Sequence, residues 1–238
     1  MKFFTHISNK VKAIIILVVG LCITGLFVFL WFKDEQIHKK NEFELICSEI
    51  QTKIYTRLHS HAILLRNFGS FYSSSDTITR AEWKSFYQNS KIETNLPGIQ
   101  GVGFSLYIPK NQLQQHEQKI KNEGFLSYKV FPEGARDVYS AIIFLEPFNA
   151  RNQRAFGYDM FSDSTRNKAM QIACDSNVAA LSGKVILLQE TNKDIQVGTL
   201  MYVPVYKKNM PANSIIERRK SLVGWAYSPY RMNDLMQG

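Results

Sequence analysis

The chain has 238 residues, of which 45% are hydrophobic and 13% aromatic, and it carries a formal net charge of +9. The aromatic content supplies ample apolar surface for a folded core, whereas the charge is compatible with nucleic-acid binding. However, the basic residues are spread along the chain and their densest cluster is only 218–220. We therefore expect no nucleic-acid partner, and instead solvated faces and attraction to anionic membrane headgroups. The three cysteines lack the even, close spacing of a disulfide framework and are interpreted as apolar packing residues, with a Cys47–Cys174 pair left open.

An uncharged apolar segment, residues 13–32, lies near the N-terminus. It matches the ~20 residues that a helix needs to cross the bilayer core. The apolar part of a cleaved signal peptide is usually about 7–15 residues long and ends in small residues, whereas this segment ends in four bulky ones, Phe29, Leu30, Trp31 and Phe32. We therefore predict an uncleaved membrane anchor that follows a cytoplasmic tail, residues 1–12. Basic residues on the two flanks nearly balance, so charge alone only slightly favours a domain on the outer side.

A stalk helix is predicted over residues 33–76, because apolar side chains recur there at steps of three or four and no proline or glycine interrupts them until Gly69. The stripe resembles a heptad seam with one extra step of four. A helix of about 35 residues spans roughly 50 Å, which is long for an element of a small domain. We expect the stripe to pack partly on the chain's own domain and partly on a second copy, which predicts a homodimer. The stripe consists of Phe43, Cys47, Ile50, Ile54, Leu58, His61, Leu65 and Phe68.

The first elements of the domain have clear end signals. Thr79 and Glu82 form a capping-box pair at the start of a short helix. The alternating segment GVGFSLYI, residues 101–108, predicts a strand. The polar segment 110–122 predicts a surface helix that is closed by Gly124.

The rest of the chain alternates between short β-rich runs and helices, which predicts an α+β domain. Residues 184–188 and 198–206 are expected to pair as antiparallel neighbours across a polar turn at 192–194. A helix is expected to begin at Ser162 or Ser164, with Met170 and Cys174 on one face. The predicted strands are 128–131, 141–145, 184–188, 198–206 and 222–227; one predicted helix ends near 175 and the last is expected to begin at 230 and to run to 236.

Few arrangements of residues in the sequence point to catalysis. No HExxH, paired CxxC, GxSxG or glycine-rich phosphate loop occurs. His59 and His61 lie two apart on a predicted helix, where they point to different faces and do not share a metal. We therefore expect no enzymatic activity, no cofactor and no metal site. An anchored hydrolase that uses Asp159 is disfavoured, because the sequence predicts no histidine or nucleophile close to that residue.

Asp159 is an isolated acid within an aromatic segment, FGYDMF at 156–161. Two interpretations are open. The carboxylate satisfies backbone donors in a turn or caps the following helix, or it lies in a pocket and accepts hydrogen bonds from N–H groups of a ligand.

Four sequence blocks of this chain resemble, in order and spacing, the CHASE family of extracytoplasmic sensory domains. This family occurs in membrane-bound histidine kinases and nucleotide cyclases. The resemblance covers roughly residues 80–236. The blocks are GIQGVGFSLYIP (98–109), RDVYSAIIFLEP (136–147), GYDMFSDSTRNKAM (157–170) with ALSGKVILLQE (180–190), and YVPVY (202–206) with GWAYSPYRMNDLM (224–236).

The resemblance implies an architecture and a location. It implies a membrane-distal, PAS-like ligand-binding lobe over residues 77–215 and the start of an incomplete membrane-proximal lobe over 216–238. It also implies a single-pass protein of the inner (plasma) membrane whose domain lies outside the cytoplasm. Because members continue into a returning membrane helix and a cytoplasmic output domain, the chain is expected to be a fragment of a receptor or a truncated product.

The resemblance also implies a ligand and its binding residues. The chain is similar to the plant cytokinin receptors, in which a pocket aspartate reads an adenine ring, so a small, purine-like ligand is expected. The implied ligand-binding residues are Asp159, Leu181, Thr191, Tyr139, Phe144 and Tyr202. The sequence therefore predicts a ligand-sensing input module of a signal-transduction receptor, such as a two-component system, with a structural or interaction protein that binds no ligand as the alternative.

Overall fold

The computed structural model describes residues 8–96, 98–189 and 197–237. The chain divides into two units, the first ending at Thr56 and the second beginning at Arg57. The helices are α1 (Asn9–Ser74), α2 (Arg80–Asn89), α3 (Ile92–Asn95), α4 (Leu113–Asn122), α5 (Ala150–Gln153), α6 (Ser164–Ser176), α7 (Ile215–Ser221) and α8 (Met232–Gln237). The strands are β1 (Val102–Pro109), β2 (Val138–Glu146), β3 (Ala180–Leu181), β4 (Gly198–Tyr206) and β5 (Leu222–Arg231). The prediction of an α+β chain is confirmed.

The first unit consists, in its described part, of α1 up to Thr56. Helix α1 is the one helix among the described residues that has the length and apolar composition to cross a membrane. The side chains of residues 13–32 are exposed throughout, and in water this apolar surface would be costly. Beyond them, ion pairs such as Lys53–Glu49 at 2.6 Å link positions one turn apart along the helix. This unit is therefore a helix whose N-terminal part suits a lipid environment.

The second unit is built on a five-stranded antiparallel sheet with the strand order β2-β1-β5-β4-β3. Strand β5 lies at its centre and pairs with β1 on one side, as in Phe104–Ala226, and with β4 on the other. The expectation that residues 216–238 begin a second lobe is wrong for β5, because this strand completes the first sheet. Helix α8, which follows β5, also belongs to this second unit and does not form a separate one.

One face of the sheet is covered by the C-terminal part of α1 together with α2. Leu65 and Phe68 of the predicted stripe are completely buried here. Gly69 allows the helix to approach β4 closely, since a Cβ atom at this position would lie 2.9 Å from Val205 Cγ2. The prediction that part of the stripe packs on the chain's own domain is confirmed, whereas Phe43, Cys47 and Ile50 at its other end are exposed. The second unit thus begins earlier along the chain than the predicted lobe at residue 77.

The opposite face is covered by α6, whose ends follow local signals. Asp163 caps its N-terminus by accepting a hydrogen bond from Arg166 N, and Asn177 ends it in the left-handed conformation, at φ 54°. Met170 and Cys174 are buried against the sheet, as the sequence predicted. Trp225 of β5 donates its indole N–H to Met170 O at 3.0 Å and so joins the helix to the sheet.

Several predicted strands and ends differ from the structure. Residues 128–131 form a loop with a single bridge, Phe131–Tyr158, and 184–188 form only the bridge Val185–Gly198. The two-residue strand β3 pairs with Met201 and Tyr202 of β4 instead, and Val185 meets only the first residue of β4. Tyr230 still belongs to β5, and the last helix begins only at Met232. The predicted turn at 192–194 lies outside the described residues.

Candidate functional site

Asp159 is completely buried beside the edge strand β2. Its Oδ1 atom accepts hydrogen bonds from Ser140 N at 2.7 Å and from Phe161 N at 3.0 Å. The second of these bonds caps the 3₁₀ turn Met160–Ser162. Oδ1 therefore plays the capping role that was one of the two interpretations of this residue.

The second carboxylate oxygen, Oδ2, has a different environment. Arg136 Nη1 lies 3.3 Å from it, and in the described part of the chain Oδ2 accepts no hydrogen bond. Burial raises the pKa of the Asp159 carboxyl, while the two backbone amides and the Arg136 charge oppose this rise. Asp159 thus keeps one acceptor atom whose partner is a charged side chain rather than the backbone.

Arg136 is held by the loop before β2. The Tyr139 hydroxyl donates to Gly134 O at 2.9 Å and accepts from Arg136 N at 3.1 Å. The Arg136 guanidinium lies 5.8 Å from the centre of the Tyr139 ring. Tyr139, one of the expected ligand-binding residues, therefore fixes the position of the arginine that faces Asp159.

A cleft of about 660 Å³ opens beside Arg136, between α6 and the starts of β2 and β5. Its walls combine aromatic and polar side chains. Asn167 Oδ1 is buried and accepts no hydrogen bond from the described residues. Such a mixture of apolar walls and a few polar atoms is typical of small-molecule sites. Its wall includes Tyr107, Arg136, Phe161, Asn167, Gln171 and Trp225.

The structure does not bring Phe144 to this site. Phe144 lies on the other side of the sheet, where its ring stacks on Trp83 at a centroid distance of 5.2 Å. The register between β1 and β2 shifts after the pair Phe104–Phe144, so that Ser105 pairs with Ile142. In a regular strand, residues 142 and 144 would project from the same face. Because Ile143 is an extra, unpaired residue in this bulge, Phe144 projects from the face opposite Ile142. The expectation that Phe144 lines the pocket of Asp159 is therefore wrong.

The other expected residues are dispersed. Leu181 lies on the edge strand β3 and is 42% exposed, and Thr191 lies outside the described residues. Tyr202 of β4 is completely buried on the α6 side of the sheet, the side on which Met160 and Trp225 also pack. Tyr202 therefore packs on the same side as Met160, the residue that follows Asp159, whereas Leu181 is at the rim of the sheet.

Tyr202 has a partner that sequence analysis missed. Tyr227 is its directly opposite residue on β5, their ring centroids are 6.3 Å apart, and both side chains are completely buried. Neither hydroxyl has a hydrogen-bond partner among the described residues. Burial raises the pKa of both phenols, and the charge of Arg166 opposes this rise in each case. An unpaired buried hydroxyl costs about 1–3 kcal/mol, so this pair is an unusual feature of the core.

Arg166, in the first turn of α6, is also buried. Its Nη1 lies 2.9 Å from Asp163 Oδ2, and its Nη2 donates to Ile186 O at 2.8 Å. Sequence analysis missed Arg136, Arg166 and Tyr227. In the sequence, each is marked only by being a charged or hydroxyl-bearing residue within an apolar segment. That pattern does not predict which distant residue its side chain contacts.

The sequence matches one protein-family model, and the structure has a distant similarity to a solved structure. The family model of the CHASE domain matches residues 76–238. Among solved structures, the chain is similar to the ligand-binding domain of the Pseudomonas aeruginosa PAO1 amino acid chemoreceptor PctC in complex with GABA, at 12% identity and a TM-score of 0.46. That similarity covers 79% of this chain and 61% of the chemoreceptor chain. No curated protein sequence matches.

Proposed function

The chain belongs to the CHASE family, and from this premise we propose that it is the signal-input module of a membrane receptor. Family membership supports a sensory, ligand-binding input domain. The first unit serves as a single-pass anchor in the plasma membrane, and the second unit lies outside the cytoplasm. The length, hydropathy and exposure of residues 13–32 support this arrangement.

The sensed ligand binds in the cleft beside Arg136. The observation that carries this proposal is the buried Asp159 carboxylate, whose Oδ2 atom is reached through Arg136, a wall residue of the cleft. A flat, partly apolar molecule with adjacent N–H donors, such as a purine, fits this chemistry. Trp225 and Phe161 offer aromatic contact and Asn167 Oδ1 is an acceptor in the cleft wall, while Asp159 Oδ2 lies behind the wall residue Arg136.

Signalling passes through the stalk of a homodimer. The exposed end of the apolar stripe, with Phe43, Cys47 and Ile50, supports association with a second copy. Ligand binding shifts the pair of stalks between two arrangements, by no more than the ligand's preference for one of them. The output proposed for such a receptor is a histidine kinase or nucleotide cyclase.

A ligand screen on the full chain in detergent tests the binding site. Thermal shift is measured with a library that includes purines, first on the wild type and then on Asp159→Asn. A hydrogen bond to a charged group contributes about 1.5–3 kcal/mol, so Asp159→Asn is expected to weaken binding by roughly tenfold or more while the protein still folds. Asp76→Asn, at an exposed position, serves as the matched control and is expected to bind normally. A ligand that binds Asp159→Asn as tightly as the wild type would place Asp159 outside the site.

Topology is tested separately with reporter fusions before Met1 and after Gly238. An enzyme reporter that is active in the cytoplasm is expected only at the N-terminal fusion. Cytoplasmic activity of the C-terminal fusion would overturn the proposed orientation.

A structural or interaction protein without a ligand is the second candidate. The two backbone hydrogen bonds of Asp159 Oδ1 favour it, since they assign this atom to the fold itself. Under this alternative Asp159→Asn unfolds the second unit, and no compound in the screen raises the melting temperature.

A further inference from the structure

The tyrosine pair on the α6 side of the sheet offers donors that the fold does not use. Tyr202 and Tyr227 are directly opposite one another on β4 and β5, so their side chains project from the same face. Both are completely buried, and within residues 8–96, 98–189 and 197–235 no group accepts from or donates to either hydroxyl. Buried hydroxyls are nearly always paired, so these two adjacent hydroxyls keep donor capacity that the described residues do not use.

A positive charge lies close to the pair. Arg166 is buried, its guanidinium is 5.4 Å from the Tyr158 ring centre, and it acts electrostatically on both Tyr202 and Tyr227. Its contacts with Asp163 and with Ile186 O occupy Nη1 and Nη2. A guanidinium carries five N–H donors, so these two contacts leave part of its capacity free for a further acceptor.

The pair is adjacent to the proposed ligand cleft. Trp225, a wall residue of the cleft, is two residues before Tyr227 on β5, so both side chains project from one face. The tyrosine pair therefore lies one step further along β5 than the cleft wall.

We propose that Arg166, Tyr202 and Tyr227 form a subsite for a compact oxyanion, a carboxylate or phosphate group of the sensed ligand. This inference rests on the proposed ligand-sensing function and adds the chemical class of one ligand group. Two phenolic donors and one guanidinium are suited to an anion, since all three donate hydrogen bonds and one carries a positive charge. A neutral molecule of the same shape gains only part of this stabilisation.

Thermal shift on the full chain in detergent tests the subsite with sodium acetate and inorganic phosphate as probes. Acetamide, the neutral isostere of acetate, and sodium chloride at matched ionic strength are the reference additions. We expect acetate or phosphate to raise the wild-type melting temperature by about 2–4 °C, the scale for a chain of this size. The probe that gives the larger rise identifies the anion class.

The decisive variant is Tyr202→Phe/Tyr227→Phe, in which the anion-dependent rise should be lost. Without anion, its melting temperature should not fall below that of the wild type, because the change removes only unpaired hydroxyls. Tyr230→Phe is the matched control, since Tyr230 is also a completely buried β5 tyrosine but packs on the opposite face, where Ser228 lies beside its hydroxyl. Tyr206→Phe provides the contrast, because its hydroxyl donates to Cys174 O at 2.8 Å and its loss should lower the melting temperature.

Three outcomes would overturn the subsite. They are the absence of a rise with both oxyanions, an undiminished rise in the double variant, and an anion-free melting temperature of the double variant as low as that of Tyr206→Phe. These outcomes are distinct from failure of the proposed function. A compound from the ligand screen that stabilises the wild type and the double variant equally would retain ligand sensing and remove only the oxyanion subsite.

Discussion

The guanidinium of Arg136 and the carboxylate of Asp159 meet at 3.3 Å between Nη1 and Oδ2, with Asp159 completely buried and the Arg136 side chain 26% exposed. This pair joins the interior of the second unit to the wall of the cleft of about 660 Å³. Its partial exposure means that a ligand can compete for Arg136 without unfolding the sheet. The pair is therefore a stabilising contact of the core and, under the proposed function, the route by which a ligand would affect it.

Arg136→Gln should destabilise the second unit by about 2 kcal/mol at neutral pH. This is less than the 3–5 kcal/mol for breaking a fully buried pair, because Arg136 is partly exposed. The pKa of Asp159 is already raised in the folded state, so loss of Arg136 raises it further. The cost is then largest above the folded-state pKa and disappears as the pH falls below the ordinary value of 3.8. Urea unfolding at pH 7, 5 and 4 measures this loss of unfolding free energy, with Lys168→Gln as the control. A loss that does not change with pH would show that Arg136 does not stabilise the ionised Asp159.

His61 should make the fold less stable in acid. Burial and the charge of Arg57 lower its pKa from 6.5 to about 4, and its ring stacks on Tyr230 at 5.1 Å. A histidine with a lowered pKa is neutral in the fold, so stability falls as the pH drops from 6.5 toward 4, by on the order of 3 kcal/mol at most. His61→Phe keeps the stack and removes this dependence. His116, whose pKa is also lowered to about 4, leaves a remaining acid sensitivity; an unchanged pH profile of unfolding in His61→Phe would contradict the prediction.

Association through the stalk should depend on the exposed end of the stripe. Ile50→Asp combined with Ile54→Asp places charges at a seam where they would be buried on association, and is expected to convert a dimer to a monomer. Gln51→Asp adds a charge one position away from the stripe and should leave the mass unchanged. Light scattering in detergent measures both. Equal masses for the wild type and the double variant would show that the stripe packs only within one chain.

Phe144 should contribute to stability but not to ligand binding. It packs against Trp83 and Tyr72 on the α1 side of the sheet. Phe144→Leu is expected to cost about 1–2 kcal/mol in unfolding free energy, within the range for core substitutions. The affinity for any compound found in the screen should remain within twofold of the wild type. A clear loss of affinity in this folded variant would show that Phe144 does contribute to ligand binding.

The sequence correctly predicted the features that depend on residues only a few positions apart. The Thr79–Glu82 capping box forms as expected, with Glu82 Oε2 accepting from Thr79 N at 2.8 Å. The alternation over 101–108 became β1, and the face of α6 with Met170 and Cys174 is buried. These features could be predicted because capping and periodicity act over one or two turns of chain.

The site could be predicted only in part. Asp159 stood out in its aromatic segment, yet its partner Arg136 is 23 positions earlier and belongs to another element. Phe144 was misplaced because the one-residue bulge at Ile143 reverses its face, and no residue type in the strand marks that bulge. Tyr202 was expected at the site, but its opposite residue Tyr227 depended on the pairing of β4 with β5.

The sequence by itself determined the apolar N-terminal segment, the long helix, the α+β composition and the isolated acid at position 159, because each depends on composition or short-range periodicity. Only the tertiary structure decided that β5 lies at the centre of the sheet, that α1 covers one face with Leu65 and Phe68, and that Arg136 meets Asp159. The physical reason is that strand order, register and ion pairing are selected by contacts between segments far apart in the chain. Those contacts compete through burial and hydrogen bonding of the whole unit rather than through the preferences of any one segment.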